Sequence, residues 1–380
     1  MKLLFFTGSR GEWGYLRPIL ERCKKMKINY NLCVTNMHLL DSYGLSIKEI
    51  ERDGFKVKDK IYMALDGYNK FTVAKSMGVL MTSLVDTLHR VNPDWVILAG
   101  DRGETLISSI VSAYTDIPVA HIQAGELSGI IDGQARHAIG KFSNLHFASN
   151  KDAANRLKKL GEENFRIKLV GAPQLDDLKK FKKKFKNLSL LKSKHNIDFK
   201  KGYVLVVYHP PQSRIESIKK NLDSMFNFLK EIKYKKIWIS PNNDAGSSVI
   251  KNEFLKKRQS DDYLFDNLPR EEYLTLLKNT KCIIGNSSSG VLESPTFRIP
   301  CINVGNRQFG RLRAKNIIDV KKITYNNLKK AFKISQTKNF KNKIKNIKNP
   351  YGDGNSSEKI LKIILNTKID DKLMFKKLTY

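Results

Sequence analysis

The 380-residue sequence is 41% hydrophobic and carries a formal charge of +32; this exceeds the usual ~150 residues per domain, so two domains are expected. No apolar run approaches the ~20 residues that cross a bilayer, and the opening MKLLFFTGSRGE turns polar at Thr7 and Gly8, too early for a secretory leader. A cytoplasmic protein without membrane attachment is expected. Cys23, Cys33, Cys282 and Cys301 form no CxxC pair, which sets aside zinc and dithiol redox chemistry. The excess lysine is spread along segments such as 176–201 and 339–350 with no RNA-recognition or zinc-finger pattern beside it, so it reads as solvated surface and no nucleic-acid partner is expected.

Along the chain, short apolar runs alternate with amphipathic stretches, as strands of a parallel sheet alternate with covering helices. KLLFFTG is followed by the helical WGYLRPILERCKKM, YNLCVTN by GLSIKEIERDG, DWVILAG by ETLISSIVSAYTD, PVAHIQAG by GQARHAIGKFS, and NLHFASN by KDAANRLKKLGE, with FRIKLVG after it. The lysine-rich 176–201 interrupts this order, and it restarts at YVLVVYHP, KKIWISPN, KCIIGNSSSG and PCINVGN with helical spacing between them. The expected organisation is an N-terminal Rossmann-like α/β domain over 1–175, a linker region over 176–201, a second such domain over 202–355, and a C-terminal helix over 356–380 packing back. Two open α/β domains in tandem imply a ligand cleft between them.

Polar clusters fall where strands end, the edge at which open parallel sheets bind ligands. TGSRGEWG (7–14) offers glycines and backbone donors at a helix start, or is an ordinary turn, since it lacks both the GxGxxG and the P-loop patterns. GDRGE places Asp101 and Arg102 directly after VILA. AHIQAGELSGIIDGQARH brings His121, Gln123, Glu126, Asp132, Arg136 and His137 to the next strand exit, although Asp132 also reads as a helix N-cap. His209 ends YVLVVYH. In IIGNSSSGVLE, Ser287 and Ser288 provide hydroxyls and backbone N–H groups before a helix, suited to a diphosphate, and Glu293 sits one turn on to accept ribose hydroxyls; simple capping by the serines is the competing reading.

These motifs, GDR, AHIQAGELSGIIDGQARHAI, YHP, PNNDAGS, IIGNSSSGVLE and INVGNRQFGR, resemble in order and spacing those of the hydrolysing UDP-N-acetylglucosamine 2-epimerases, from about Leu3 to about Val320. The resemblance implies a GT-B fold and removal of the C2 proton as the C1–O bond to UDP breaks. The glycal so formed takes up water to give free N-acetylmannosamine for sialic-acid-like sugars. It implies Asp101 and Asp132 as the paired carboxylates, His209 at the leaving diphosphate, and Arg10, Ser287, Ser288, Glu293 and Arg311 at the nucleotide, with Arg102 and Arg136 beside the substrate. No cofactor or metal is implied, and family members are commonly homodimers or homotetramers. Relatives acting on UDP-N,N'-diacetylbacillosamine share the pattern; a GT-B glycosyltransferase or an inactive nucleotide-sugar binder is the alternative from another class. One departure stands out. Where the resembling enzymes read HIEGGE, this chain reads HIQAGE, so an amide, Gln123, replaces a catalytic carboxylate and Glu126 is the nearest candidate for its place; the working pair is taken to be Asp101 and Asp132, with Gln123 as a positioning residue and Glu126 in support. Residues three apart on a strand face opposite ways, so Glu126 reaches the same place only if the chain bends at Gly125.

Overall fold

The computed structural model describes residues 1–41, 44–66, 70–128, 131–181, 188–210, 215–241, 247–266, 268–377 and 379. They form two compact units, Met1–Asp177 with Tyr351–Tyr380, and Leu178–Pro350. The first holds β1 (Lys2–Thr7), β2 (Asn29–Thr35), β3 (Asp59–Ile61), β4 (Trp95–Ala99), β5 (Val119–Ala124), β6 (Leu145–Ala148) and β7 (Ile167–Leu169). They make one parallel sheet in the order β3-β2-β1-β4-β5-β6-β7. Every residue of β4 and β5 is buried, because helices cover both faces of a parallel sheet. The two-residue period of a strand divides them: Leu3, Phe5, Trp95 and Ile97 join one apolar cluster, while Leu4, Phe6, Val96 and Leu98 join the other.

The first helix, Arg10–Met26, begins three residues before the apolar pattern does. Ser9 caps it, and Glu12 reaches back to the Gly8 and Ser9 N–H groups at 2.6 and 3.0 Å, a capping box that satisfies the open donors of the first turn. The chain returns to this unit at Tyr351. There Ile360, Leu361 and Ile364 of the helix Ser356–Asn366 enter the cluster below β1, and the Asp176 carboxylate receives the Ser356 and Ser357 N–H groups at 2.9 and 2.7 Å. Arg166, fully buried, donates to the carbonyls of Lys372, Leu373 and Phe375 at 2.9, 2.6 and 3.2 Å and so ties the last segment down.

The second unit carries β8 (Tyr203–Val207), β9 (Lys235–Ile239), β10 (Tyr263–Phe265), β11 (Ile283–Gly285), β12 (Cys301–Val304) and β13 (Ile317–Val320), again all parallel, in the order β10-β9-β8-β11-β12-β13. Part of the expected linker belongs to it: in the helix Leu188–His195, Lys194 and His195 bind the Glu272 carboxylate at 2.5 and 2.8 Å. In each sheet the strand order reverses beside the first strand, between β1 and β4 and between β8 and β11, which opens a crevice at the carboxyl ends there. All four cysteines are buried and free. Among the described residues no helix is long and apolar enough to cross a membrane.

Candidate active site

In the first unit, Asp101 leaves β4 through Gly100, and its carboxylate accepts the Ser128 hydroxyl at 2.6 Å and a guanidinium N–H of Arg136. Arg136 is buried, and its Nη1 also donates to the Gln123 carbonyl at 2.6 Å, so one cation fixes both strand exits. Asp132 is the second residue of the helix Ile131–Phe142, inside the first turn; it is not the N-cap that the sequence also allowed. Burial first, and then the Asp101 charge, push its carboxyl up to about 6, against the pull of Arg102 and Arg136. Two neighbouring carboxyls thus sit in unlike surroundings: Asp101 is held by a hydroxyl and a guanidinium, while Asp132 is ready to exchange a proton near neutrality. His121, fully buried with Nε2 2.8 Å from the Gly100 carbonyl, is pushed down to about 3 by desolvation and stays neutral.

Gln123 has a φ of +65°, rare for a side chain larger than glycine, at the point where the β5–β6 register slips between Ile122 and Ala124. Its amide donates to Gln174 Oε1 at 3.3 Å. Gly125 supplies the required bend at φ +74°, and a Cβ there would lie 2.4 Å from the Ala153 carbonyl oxygen, so only glycine fits. The bend nevertheless carries Glu126 elsewhere. Its carboxylate, 3% exposed, accepts the Asn150 amide at 2.5 Å and the Ser149 hydroxyl at the exit of β6, where Asn150 caps the next helix through Ala153 N–H at 2.9 Å. Glu126 is therefore bonded into the β6 turn, where its carboxylate holds Ser149 and Asn150. Gly129 lies outside the described residues.

Arg10 opens the first helix, half exposed, 3.6 Å from Glu49. Arg102 occupies the N-cap position of the helix Gly103–Tyr114 and turns its Nε to Glu104 at 3.4 Å.

In the second unit the reversal between β8 and β11 is closed by Asn286. Its Oδ1 accepts the His209 N–H at 2.7 Å, its Nδ2 donates to the His209 carbonyl at 2.8 Å, and its own N–H bonds Val207 at 3.1 Å. His209, 6% exposed, is pushed down to about 3 by burial first and then by the Arg307 charge, so it is a neutral imidazole. Ser287 does cap, with Oγ accepting the Ser289 N–H at 3.3 Å, but the helix it opens, Ser288–Leu292, is five residues long, so its dipole is small. Glu293 lies at the end of that short helix. Its oxygens take Arg270 Nη2 at 2.7 Å and Ser289 Oγ at 2.5 Å, and Tyr273 O–H completes the chain to Ser289 at 2.5 Å. Arg311 follows β12 in a loop whose Gln308 donates to the Asn286 carbonyl at 2.8 Å, with Arg307 Nη1 on the same oxygen at 3.3 Å. Of the motif at 241–247, residues 242–246 lie outside the described residues.

The family described as UDP-N-acetylglucosamine 2-epimerase matches residues 21–365. The chain belongs to this family. A UDP-N,N'-diacetylbacillosamine 2-epimerase (hydrolyzing) of Legionella pneumophila is 32% identical over 99% of this chain and 98% of its own length. A GDP/UDP-N,N'-diacetylbacillosamine 2-epimerase (hydrolyzing) of Campylobacter jejuni is 35% identical over 90% and 88%. The crystal structure of the Neisseria meningitidis UDP-GlcNAc 2-epimerase bound to UDP-GlcNAc superposes with a TM-score of 0.84 at 20% identity, over 97% of this chain and all of that one, which establishes the GT-B-like fold.

For this 2-epimerase family member, the sequence reading passed over Asn286, Arg270, Tyr273, Gln174 and the buried pair Glu12 and Glu104. Asn286 stands beside the serines of GNSSSG; Arg270, Tyr273 and Gln174 act through contacts 16 to 51 residues apart along the chain, which no local pattern reports, and Glu12 and Glu104, although local to TGSRGEWG and GDRGE, are brought to each other only by the fold.

Proposed function

We propose that the protein is a hydrolysing UDP-sugar 2-epimerase. A base takes the C2 proton, the C–H pair becomes the C1=C2 double bond of a glycal, and the C1–O bond breaks to release UDP. Water then returns a hydroxyl to C1 and a proton to C2 from the opposite face, giving the free 2-epimeric sugar. The observation that carries this reading is the unequal pair Asp101 and Asp132. Asp132 moves the proton, and Asp101, paired with the Arg136 guanidinium, steadies the developing positive character and the water. Arg102 and Arg136 keep the pair in place; Arg10, Ser287, Ser288, Glu293 and Arg311 serve the nucleotide; His209, as a neutral N–H donor, assists the departing diphosphate.

Incubation with UDP-N-acetylglucosamine and, separately, UDP-N,N'-diacetylbacillosamine tests this, with UDP and free sugar as readouts. Release of UDP with N-acetylmannosamine, or with the corresponding diacetamido sugar, supports it; a sugar that stays on UDP after epimerising, or no reaction with either, defeats it. The names of the two relatives above favour the diacetamido substrate as the second reading.

His209→Ala is expected to lower turnover about 100-fold with the fold intact, the usual cost of a positioned proton donor; wild-type rates would return His209 to a structural role. Gln123→Glu should retain or raise the rate, since it restores a carboxylate where the resembling enzymes carry one, and a collapse in rate would show that the amide is required. Ser288→Ala is expected to weaken UDP binding by calorimetry several-fold, about the cost of one hydrogen bond to a charged group, and unchanged affinity would remove the serine from the nucleotide site.

A further inference from the structure

Four carboxyl groups and two guanidinium groups meet at the carboxyl edge of β1, β4 and β5: Glu12, Glu104, Asp101 and Asp132 against Arg102 and Arg136. Arg136 is committed to Asp101, which leaves Arg102 among the other three. Arg102 Nε points at Glu104 Oε1, 3.4 Å away, and Asn36 Nδ2 donates to the same oxygen. The Glu104 carboxylate is buried against the Gly8 turn, whose backbone N–H, together with that of Ser9, is given to Glu12. Thr105, the next residue of the Glu104 helix, donates its hydroxyl to Glu12 Oε1 at 3.0 Å and joins the two glutamates. Neither glutamate has a part in the proposed reaction; buried carboxylates are tolerated where they are paired and hydrogen-bonded, and the charge that Glu104 pairs with is Arg102.

We propose that Glu104 is a positioning residue: it holds the Arg102 guanidinium and sets how much of that positive charge acts on Asp132, with Glu12 as the second anion of the same cluster. The proposal rests on the epimerase reading in taking Asp132 as the group that moves the proton. The charged groups facing Asp132 are Asp101 and Glu104, which hold its proton on, and Arg102 and Arg136, which draw it off. Those facing Arg102 are Glu104, Glu12 and Asp132, and together they outweigh burial and strengthen its hold on its own proton. Glu12 is pushed up to about 7 by burial first and by Glu104 next, as expected where two carboxyls share one cation.

The arrangement gives opposite signs for two substitutions, which simple loosening of the fold does not. Glu104→Gln keeps the hydrogen-bond acceptor for Arg102 and Asn36 but removes a negative charge, so Arg102 acts undiluted on Asp132 and the Asp132 midpoint falls. Arg102→Gln removes the cation, and the midpoint rises. The test is a pH titration of full-length protein carrying 13C-labelled aspartate carboxyls, with Asp132 assigned by its loss in Asp132→Asn. A fall of about half a pH unit or more in Glu104→Gln and a comparable rise in Arg102→Gln are expected for one charge nearby. Midpoints that stay put, or that move the same way in both variants, overturn the proposal. If Glu104→Gln does not fold, Glu104→Asp, which draws the charge back by one methylene, is expected to give a smaller fall, and no fall is equally fatal. In Glu104→Gln the acid limb of kcat/KM should move with the titration while KM on the plateau stays within about twofold, as for a change confined to the reacting step. The titration needs no turnover, so a wild-type protein that releases no UDP would defeat the function proposed above and leave Glu104 to be judged by its own measurement.

Discussion

Asp132→Asn is expected to reduce UDP release from the preferred UDP-sugar by about 1000-fold, in the range for removing a positioned acid–base group. The side chain stays nearly isosteric, so the helix Ile131–Phe142 is expected to keep its place, held from its far end by Lys376 Nζ on the carbonyls of Gly140 and Ser143 at 2.7 and 2.8 Å. What disappears is the proton-carrying oxygen. Because burial and Asp101 push the Asp132 carboxyl up to about 6, its base form dominates only above that pH; kcat/KM in the wild type is therefore expected to rise through about pH 6 and level off above it. Rates and product analysis across pH 5–8 check both statements. A full-rate Asn variant, or a wild-type profile flat through pH 6, would move the base elsewhere, and glycal among the products of the variant would place Asp132 in the hydration half of the reaction.

Gly285→Ala is expected to destabilise the second unit by about 3 kcal/mol or more, combining a strained backbone with an overlap in a packed core. Gly285 has a φ of +141°, and a Cβ built on it would sit 2.0 Å from the Val207 carbonyl oxygen, the acceptor of the Asn286 N–H. Neither partner can retreat: Val207 is the last residue of β8 and is paired with Gly285 itself, and Asn286 clamps His209 through both backbone groups. The expected result is a thermal midpoint lower by roughly 6 °C or more for a unit of this size, with UDP affinity lost alongside. An alanine variant with an unchanged midpoint and unchanged UDP binding would show that the β8–β11 junction does not need this close approach.

The sequence by itself determined the strands that carry chemistry. Runs such as LLFF, VILA and VLVV are apolar on consecutive residues because both faces of their sheets are covered, and each runs into a polar exit, at Thr7, Asp101 and His209. The motif order from GDR to IIGNSSSG likewise sufficed for the family. It did not disclose β3, β10 and β13, which are edge strands of three or four residues with too few neighbours to impose a pattern. Nor did it place the C-terminal helix in the first unit, since Asp176 and Arg22 meet Ser357 across more than 180 residues. At the site, residue types were legible and bonding partners were not. Asp101 and Asp132 were both readable as acids, but only the folded chain gives one of them Arg136 and Ser128 and leaves the other the raised proton affinity. Glu126 is the sharpest case: the strand period made a bend at Gly125 the condition for reaching the Gln123 side, whereas where its carboxylate bonds depended on where β6 ends and on Asn150 beside it. Spacing along a chain fixes which face a side chain leaves by; the charges and donors it meets come from segments distant in sequence, and those are decided only when the sheet closes around them.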